Sequence, residues 1–209
     1  FASCIVSLFI NQQLKTHGGD IAIGAYGIAN RITFFFLMIC MGFNQGMQPI
    51  ASYNWGAKQY SRVRKVFWLT TECVTVVTVI CFLICYLCPH VAVRLFTEDP
   101  ILENHAIYGL KIMNMSIALI SLNLVASNLY QNIGMIGKSI FLSLSRQLLI
   151  LVPLLYILPL SMNEDGVWTS FPISDFLSFV LAAILISTTF RKFKKLKDGE
   201  DIASYGIKI

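Results

Sequence analysis

The sequence has little charge. Only 13% of its 209 residues are charged, whereas 56% are hydrophobic. A soluble domain contains roughly 25% charged residues, which help to cover its surface. We therefore expect lipid to surround most of this chain. The formal net charge of +5 does not indicate nucleic acid as a partner, because basic residues at the ends of membrane helices serve first to orient the protein.

The sequence also lacks the motifs of an enzyme or a metal protein. It contains no His-Glu-x-x-His, no Gly-x-Ser-x-Gly and no glycine-rich phosphate loop. The histidines, which are expected to be solvated in loops or at helix ends, are His17, His90 and His105. The cysteines lie in or beside apolar segments and are expected to be small buried hydrophobic residues, not metal ligands or disulfides. We predict no catalytic residue, no metal and no cofactor.

An initiator methionine and a signal peptide are absent as well. The first apolar stretch, residues 1–13, is shorter than the roughly 20 residues that cross a bilayer. We therefore expect the chain to begin inside a helix, as part of a longer protein.

Long apolar runs predict an all-α integral membrane protein with six transmembrane segments. The segments are Phe1–Leu14, Ile21–Tyr53, Val66–Cys88, Ala106–Ile133, Ser139–Leu160 and Gly166–Phe190. The second and fourth exceed the length of a span, so we expect them to tilt, bend or project. Residues Val93–Asn104 are predicted to form a short surface connection. Residues 191–209 form a basic tail, whose end at Asp198–Ile209 we expect to be disordered.

Basic residues fall on one side of the predicted segments. The loops after the second and fourth segments and the tail carry Lys58, Arg62, Arg64, Lys65, Lys138, Arg191, Lys192, Lys194, Lys195 and Lys197. The opposite loops are mainly acidic, and their basic residues are Lys15 and Arg94. Because loops rich in lysine and arginine stay in the cytoplasm, we predict a multi-pass protein of the cytoplasmic membrane with its C-terminus inside.

Amides interrupt the second predicted segment. Four polar residues share an arc of about 100° on one helix face, namely Asn44, Gln45, Gln48 and Ser52. Pro49 removes a backbone N–H beside them and predicts a kink. Such a face is costly against lipid, so it either lines a water-filled substrate pathway or bonds neighbouring helices. On the opposite side, Gly42 and Gly46 predict close contact with another helix.

The fourth predicted segment has two polar faces. One carries Asn114, Ser121 and Asn128, and the other carries Ser116, Asn123, Ser127 and Gln131. A helix that is polar on both sides does not belong at the lipid boundary. We expect one stripe to face neighbouring helices and the other a water-filled path. The sequence does not distinguish the two stripes, and Asn123 and Gln131 are our candidates for the path.

Two charges lie deep inside predicted segments. Arg146 lies about 10 Å from one end of the fifth segment, and Asp175 lies about 13 Å from the opposite end of the sixth. The two depths are similar within a hydrocarbon core of roughly 30 Å, so we predict an Arg146–Asp175 pair. The pair either clamps the helices or includes a transport group that titrates. Pro172 is predicted to kink the sixth segment nearby.

Motifs along nearly the whole chain resemble one family of membrane transporters. In chain order they are Gln45-Gly-Met-Gln-Pro-Ile-Ala-Ser-Tyr-Asn-Trp-Gly-Ala-Lys-Gln-Tyr-Ser-Arg-Val63, Leu95-Phe-Thr-Glu-Asp-Pro100, Gln131-Asn-Ile-Gly-Met-Ile-Gly-Lys-Ser139, Ser145-Arg-Gln147, Val152-Pro-Leu154, Gly166-Val-Trp168 and Phe171-Pro-Ile-Ser-Asp175. By these motifs and their order, the chain resembles the C-terminal lobe of the multidrug and toxic compound extrusion (MATE) family.

The resemblance implies twelve helices in two six-helix lobes, with residues 1–190 as the C-terminal lobe and the N-terminal lobe as its missing partner. It implies alternating access, in which small organic cations leave the cell in exchange for Na⁺ or H⁺. Some members carry an acid in the first helix of this lobe, where this chain offers Asn11 as a pathway residue. The stretch Gly134–Lys138 also lacks an acid that some members have, so the coupling ion stays open.

Three other functions remain open from the sequence. A lipid-linked oligosaccharide flippase shares the architecture but usually has a more cationic interior. An intramembrane enzyme needs a nucleophile, a metal motif or paired carboxylates at depth, and Asp175 has no acidic partner at a suitable spacing. A membrane sensor or anchor does not need so many amides at depth.

Overall fold

The computed structural model describes residues 2–193 and 198–199, and these residues form helices without a strand. The helices are α1 (Ala2–Gly56), α2 (Tyr60–Leu87), α3 (Pro89–Arg94), α4 (Pro100–Met113), α5 (Ile117–Asn132), α6 (Ile136–Leu144), α7 (Val152–Met162) and α8 (Glu164–Phe193). A π-helical segment, Ser145–Leu151, joins α6 to α7. This architecture confirms the predicted fold class. Most of the predicted tail, residues 191–209, lies outside the described residues.

The first two predicted segments form α1. Its backbone leaves helical angles at Gly19, where φ is 73° and ψ is −166°. Glycine adopts this positive φ without the steric penalty of a Cβ. The break lies between the predicted boundaries at Leu14 and Ile21. Beyond Gly19 the helix continues through Pro49 to Gly56.

The fourth predicted segment, Ala106–Ile133, is bent. It consists of α4 and α5, which meet at an angle of 56°. Asn114 lies at the bend, where its side-chain amide donates to the Leu110 carbonyl at 3.0 Å. Its side-chain oxygen accepts from the Thr33 hydroxyl at 3.0 Å. The bend therefore brings a polar side chain of this segment against α1.

The predicted surface connection, Val93–Asn104, is wrong in part because most of it is helical. It contains the end of α3 and the first turn of α4. Asp99 caps α4, since its side chain accepts from the Ile101 N–H at 2.9 Å. Pro100 fits the next position, because the N–H that proline lacks has no partner in the first turn of a helix.

Among the residues that the structure describes, five helical stretches are candidates to cross a membrane. Four are long and apolar enough by themselves, and they lie within Cys4–Gly56, Tyr60–Leu87, Ile136–Met162 and Glu164–Phe193. The bent pair of α4 and α5 is the fifth. Because α1 contains two predicted segments, one on either side of Gly19, these stretches overlap all six segments predicted from hydropathy.

Two clusters of buried side chains hold the helices together. One lies toward α3 and includes Trp168, whose ring packs directly on Gly109. The other lies toward the α1–α2 loop and includes Phe67, Tyr130 and Phe190. Helix α5 contributes to both clusters and packs against α1, α2, α6 and α8. It is therefore the central helix of the lobe.

Candidate functional site

Gln45 and Gln48 lie on an exposed face of α1. Asn44 does not, because it is 4% exposed and its amide donates to the Cys40 carbonyl at 3.0 Å. The helix register explains the difference, since Asn44 lies on the same buried stripe as Cys40 and Met47. Asn44 is therefore not on the exposed face with Gln45 and Gln48, and its amide bonds its own helix inside the lobe.

The glycine face of α1 is also exposed. Apart from the adjoining turns of α1 itself, a Cβ on Gly42 or Gly46 would meet no atom within 4 Å. The predicted helix contact at these glycines is therefore absent from the described part of the chain. Bare glycine on a membrane helix leaves room for a partner to approach closely.

The two predicted kinks do not interrupt their helices. Helix α1 continues through Pro49, and its non-helical backbone angles lie at Gly19. Helix α8 likewise continues through Pro172. The Pro172 carbonyl accepts a hydrogen bond from the Ser116 hydroxyl at 3.1 Å, which joins α8 to the bend between α4 and α5.

Gln131 extends the exposed polar surface from α1 to α5. The Ser52 hydroxyl donates to the Asn132 carbonyl at 3.2 Å, which joins the two helices beside Gln131. Gln131 also lines an open groove of about 390 Å³, together with Ile136, Ser139, Ile140, Ser143 and Leu144. We call the exposed residues along this seam the amide face, and they are Gln45, Gln48, Ser52 and Gln131.

Both polar stripes of α5 are used inside the lobe. Asn123 is 3% exposed, and its amide donates to the Ser178 carbonyl at 3.4 Å. On the other stripe, Ser121 accepts from the Thr75 hydroxyl at 2.9 Å. Neighbouring helices therefore cover Asn123 within this lobe, and a water-filled path along one stripe stays a prediction. Gln131 differs because it lies at the exposed end of its stripe.

Asn11 lies on an exposed part of α1, before the break at Gly19. Among the described residues, no side-chain hydrogen bond connects it with the amide face. Asn11 is therefore a separate candidate for contact with a substrate or a partner.

Arg146 and Asp175 meet inside the lobe. Arg146 Nε lies 2.9 Å from Asp175 Oδ1, and the exposed fractions of the two side chains are 24% and 4%. The π-helical segment carries Arg146, and α8 carries Asp175. The Ser174 hydroxyl donates to the Arg146 carbonyl at 3.0 Å and gives this backbone group a partner.

In the part of the chain that the structure describes, no three His, Cys, Asp or Glu side chains are grouped to hold a metal ion.

The comparison with protein families is decisive, because the model for MatE matches residues 1–157. The chain belongs to the MatE family. This match confirms the resemblance that the motifs predicted. Multidrug export protein MepA of Staphylococcus aureus strain N315 is 29% identical to the chain over 186 residues, which are 89% of this chain and 40% of that protein. MepA of Staphylococcus haemolyticus strain JCSC1435 is 25% identical over 182 residues, which are 87% and 40% of the two chains.

Solved MATE structures share the fold of this MatE chain. The MATE multidrug transporter DinF-BH has a TM-score of 0.75 at 39% identity, over 86% of this chain and 40% of that one. A MATE in complex with MaL6 has a TM-score of 0.87 at 18% identity, over 93% and 44% of the two chains. The MatE chain therefore spans less than half the length of these relatives.

A charged cluster near α3 escapes prediction from the sequence. Glu103 Oε1 lies 3.0 Å from both His90 Nδ1 and Arg94 Nε. The cluster fastens α3 to the first turn of α4 in the MatE chain. The sequence predicts an irregular connection here, and such a connection does not fix the distances between side chains. Helix α3 fixes the positions of His90 and Arg94.

Asp198 and Gly199 lie against the α1–α2 loop. Asp198 accepts hydrogen bonds from the Ser61 N–H at 3.1 Å and from the Ser61 hydroxyl, and the Gly199 N–H donates to the Lys58 carbonyl at 2.9 Å. Asp198 thus caps the first turn of α2, where Gln59 supplies no side-chain cap. The bonds from Ser61 lower the pKa of the Asp198 carboxyl. The prediction of disorder is wrong for Asp198 and Gly199.

Proposed function

We propose that this MatE chain is one lobe of a two-lobe secondary transporter that exports small organic cations. The observation that carries the proposal is the amide face, because Gln45, Gln48 and Gln131 are exposed on helices that are apolar enough to span a membrane. Amides are costly against lipid. A second lobe and a water-filled pathway between the lobes would cover them.

The lengths of the relatives support a second lobe. The matched region is 40% of MepA, which is described as a multidrug export protein, and 40% of DinF-BH. A lobe of similar size would supply most of the remaining length. We propose that the partner is an N-terminal lobe of the same protein, and that it packs on the exposed glycine and amide faces of α1.

Amides suit a pathway for varied cations. Their carbonyl oxygens are uncharged acceptors, so they contact a cation or its polar groups without holding one substrate by a full ion pair. We propose that the two lobes rock around the bound cation and that Na⁺ or H⁺ favours one of the two orientations. Gln45 and Gln48 contact the substrate in this mechanism. The Arg146–Asp175 pair either clamps the lobe or includes the coupling group.

The basic loops support an orientation. Arg62, Arg64 and Lys65 are exposed at the start of α2, and Lys192 is exposed in the last turn of α8. Lysine and arginine in short loops stay on the cytoplasmic side. We propose that the protein lies in the cytoplasmic membrane with these loops and its C-terminus inside.

Efflux of a fluorescent organic cation tests the proposal. In the two-lobe protein, the change of both Gln45→Leu and Gln48→Leu removes two polar contacts and keeps apolar volume. At roughly 0.5–1.5 kcal/mol for each lost hydrogen bond, we expect efflux to fall about tenfold while the yield of folded protein holds.

The matched control is Gln147→Leu, which removes a half-buried amide of the π-helical segment that is not part of the amide face. We expect it to leave efflux near the unmodified level. Unchanged efflux of several cations by the Gln45/Gln48 double variant would overturn the proposed pathway. An equal loss in the Gln147 control would overturn it as well.

A further inference from the structure

A lysine with no carboxylate partner among the described residues lies near the α5–α6 loop. Lys138 is in the first turn of α6, and its Nζ lies 3.2 Å from the Thr189 hydroxyl oxygen and 5.2 Å from the centroid of the Tyr130 ring. The Tyr130 and Thr189 hydroxyl oxygens are 2.8 Å apart. A hydroxyl and an aromatic ring therefore fix the position of the ammonium group, but neither neutralises its charge.

Lys192 adds a second positive charge to the same region. It follows Thr189 by three residues on α8, so the two side chains lie on the same face of the helix. The ion pairs among the described residues join His90 and Arg94 to Glu103 and join Arg146 to Asp175. Neither Lys138 nor Lys192 takes part in them. Lys138 contacts Thr189, and Lys192 lies one turn from Thr189 on α8, so both positive charges belong to one region, where an anion would be attracted by both.

We propose that Lys138 and Lys192 bind the phosphate of an anionic lipid headgroup. Both lysines lie at the ends of membrane helices, at the level where lipid phosphates lie. Tyr130 and Thr189 are buried, so they position Lys138 and do not contact the lipid themselves. Binding at this site needs no transport activity.

Apolar side chains continue the site into the membrane. Phe141 is 46% exposed. It lies three residues after Lys138 on the same face of α6, one turn further into the membrane. On α8, the partly buried Leu185 lies one turn deeper than Thr189. An acyl chain that follows these two side chains would leave its phosphate beside the lysines. This continuity favours a lipid over a free phosphate.

Lipid titration of the purified full-length protein in a neutral detergent tests the site. The readout is the melting temperature as phosphatidylglycerol is added, with phosphatidylcholine and inorganic phosphate as separate arms. We expect phosphatidylglycerol to stabilise the protein more than phosphatidylcholine does, and inorganic phosphate to have no effect. A lysine near an anionic lipid surface contributes about 1 kcal/mol, so each change of Lys138→Gln or Lys192→Gln should weaken the apparent affinity about fivefold.

Two sets of variants separate the site from general electrostatics and from misfolding. Lys111→Gln is the matched control, because Lys111 Nζ also lies over an aromatic ring, 5.6 Å from the centroid of Tyr86. We expect this control to keep the full response to phosphatidylglycerol. The conservative changes Lys138→Arg and Lys192→Arg should also keep the response to phosphatidylglycerol. That result would attribute the loss in the glutamine variants to the missing charge and not to misfolding.

Three results would overturn the proposal. The first is a response to phosphatidylglycerol that persists in the double variant with Lys138→Gln and Lys192→Gln. The second is an equal loss in the Lys111→Gln control. The third is stabilisation by inorganic phosphate equal to that by phosphatidylglycerol, because the lysines would then bind a soluble anion and not a lipid.

Discussion

Within the Arg146–Asp175 pair, replacing Arg146 should destabilise the protein more than replacing Asp175. Arg146→Gln leaves the Asp175 side chain, 4% exposed, without the guanidinium that lies 2.9 Å away. A buried charge that loses its partner destabilises a protein by about 3–5 kcal/mol. Asp175→Asn is milder, because the Arg146 side chain is 24% exposed and its long stem lets the guanidinium move toward water. We expect Asp175→Asn to cost about 1–2 kcal/mol.

The double change, Arg146→Gln with Asp175→Asn, leaves no buried charge. We therefore expect it to be more stable than Arg146→Gln alone, and the two single effects not to add. Arg94→Gln is the matched control, since Arg94 makes an arginine–carboxylate contact of 3.0 Å to Glu103 with its own side chain 70% exposed. The Glu103 side chain is 11% exposed, but it keeps its 3.0 Å contact with His90 when Arg94 is changed, so this control should destabilise the protein less than Arg146→Gln does.

The assay combines three readouts on the two-lobe protein. They are the yield of monodisperse protein, its melting temperature in detergent and the efflux of an organic cation from vesicles. If the pair is a clamp, both single changes lower yield and the double change recovers part of it. If Asp175 carries the coupling ion, Asp175→Asn keeps its yield but loses efflux, and the double change does not restore it.

Two results would refute this reasoning about the pair. Single changes that leave yield, melting temperature and efflux intact would show that the contact has no role. A larger loss of stability from Asp175→Asn than from Arg146→Gln would show that burial of the carboxylate is not the dominant cost.

Three further predictions test the packing, the tail and the orientation. A Cβ on Gly109 would lie 2.5 Å from the Trp168 ring, so Gly109→Ala should lower stability by about 1–3 kcal/mol in thermal unfolding. Gly27→Ala, where an added Cβ would have no close neighbour, should not. The pKa of the Asp198 carboxyl is lower in the folded protein than in the unfolded chain. The ionised carboxylate therefore stabilises the folded protein at pH values above the unfolded-state pKa. This stabilisation is lost as the pH falls through the folded-state pKa. Asp198→Asn should therefore lower the melting temperature at pH 7 and have little effect in acid. In cells, an impermeant thiol reagent should label a cysteine at position 98 and spare one at position 64, and the reverse pattern contradicts the orientation.

Hydropathy and helix geometry predict a large part of this fold. Apolar runs of sufficient length identify the membrane helices, because each must satisfy its backbone hydrogen bonds internally. Depth along two antiparallel helices is enough to predict the Arg146–Asp175 contact, which forms at 2.9 Å. Both inferences depend on distance along a single helix, which the sequence reports directly.

Contacts between helices are harder to predict. Gln45 is exposed, whereas Asn44, the residue before it on the same helix face, is buried. Their position on one face of α1 does not show which neighbouring helices pack against it. Asn123 bonds α8 only because α5 lies at the centre of the lobe. The contact of Asp198 with Ser61 spans 137 positions of the chain, and no local pattern indicates it.

Reconstitution of this lobe with and without its partner is the most direct test of the proposed two-lobe transporter. Proteoliposomes would contain either residues 1–209 alone or the two-lobe protein, and uptake of a fluorescent organic cation would be followed under a Na⁺ or H⁺ gradient. We predict gradient-driven transport by the two-lobe protein and none by residues 1–209, because the amide face then lacks the other wall of its pathway. Gradient-driven transport by residues 1–209 alone would contradict the proposal.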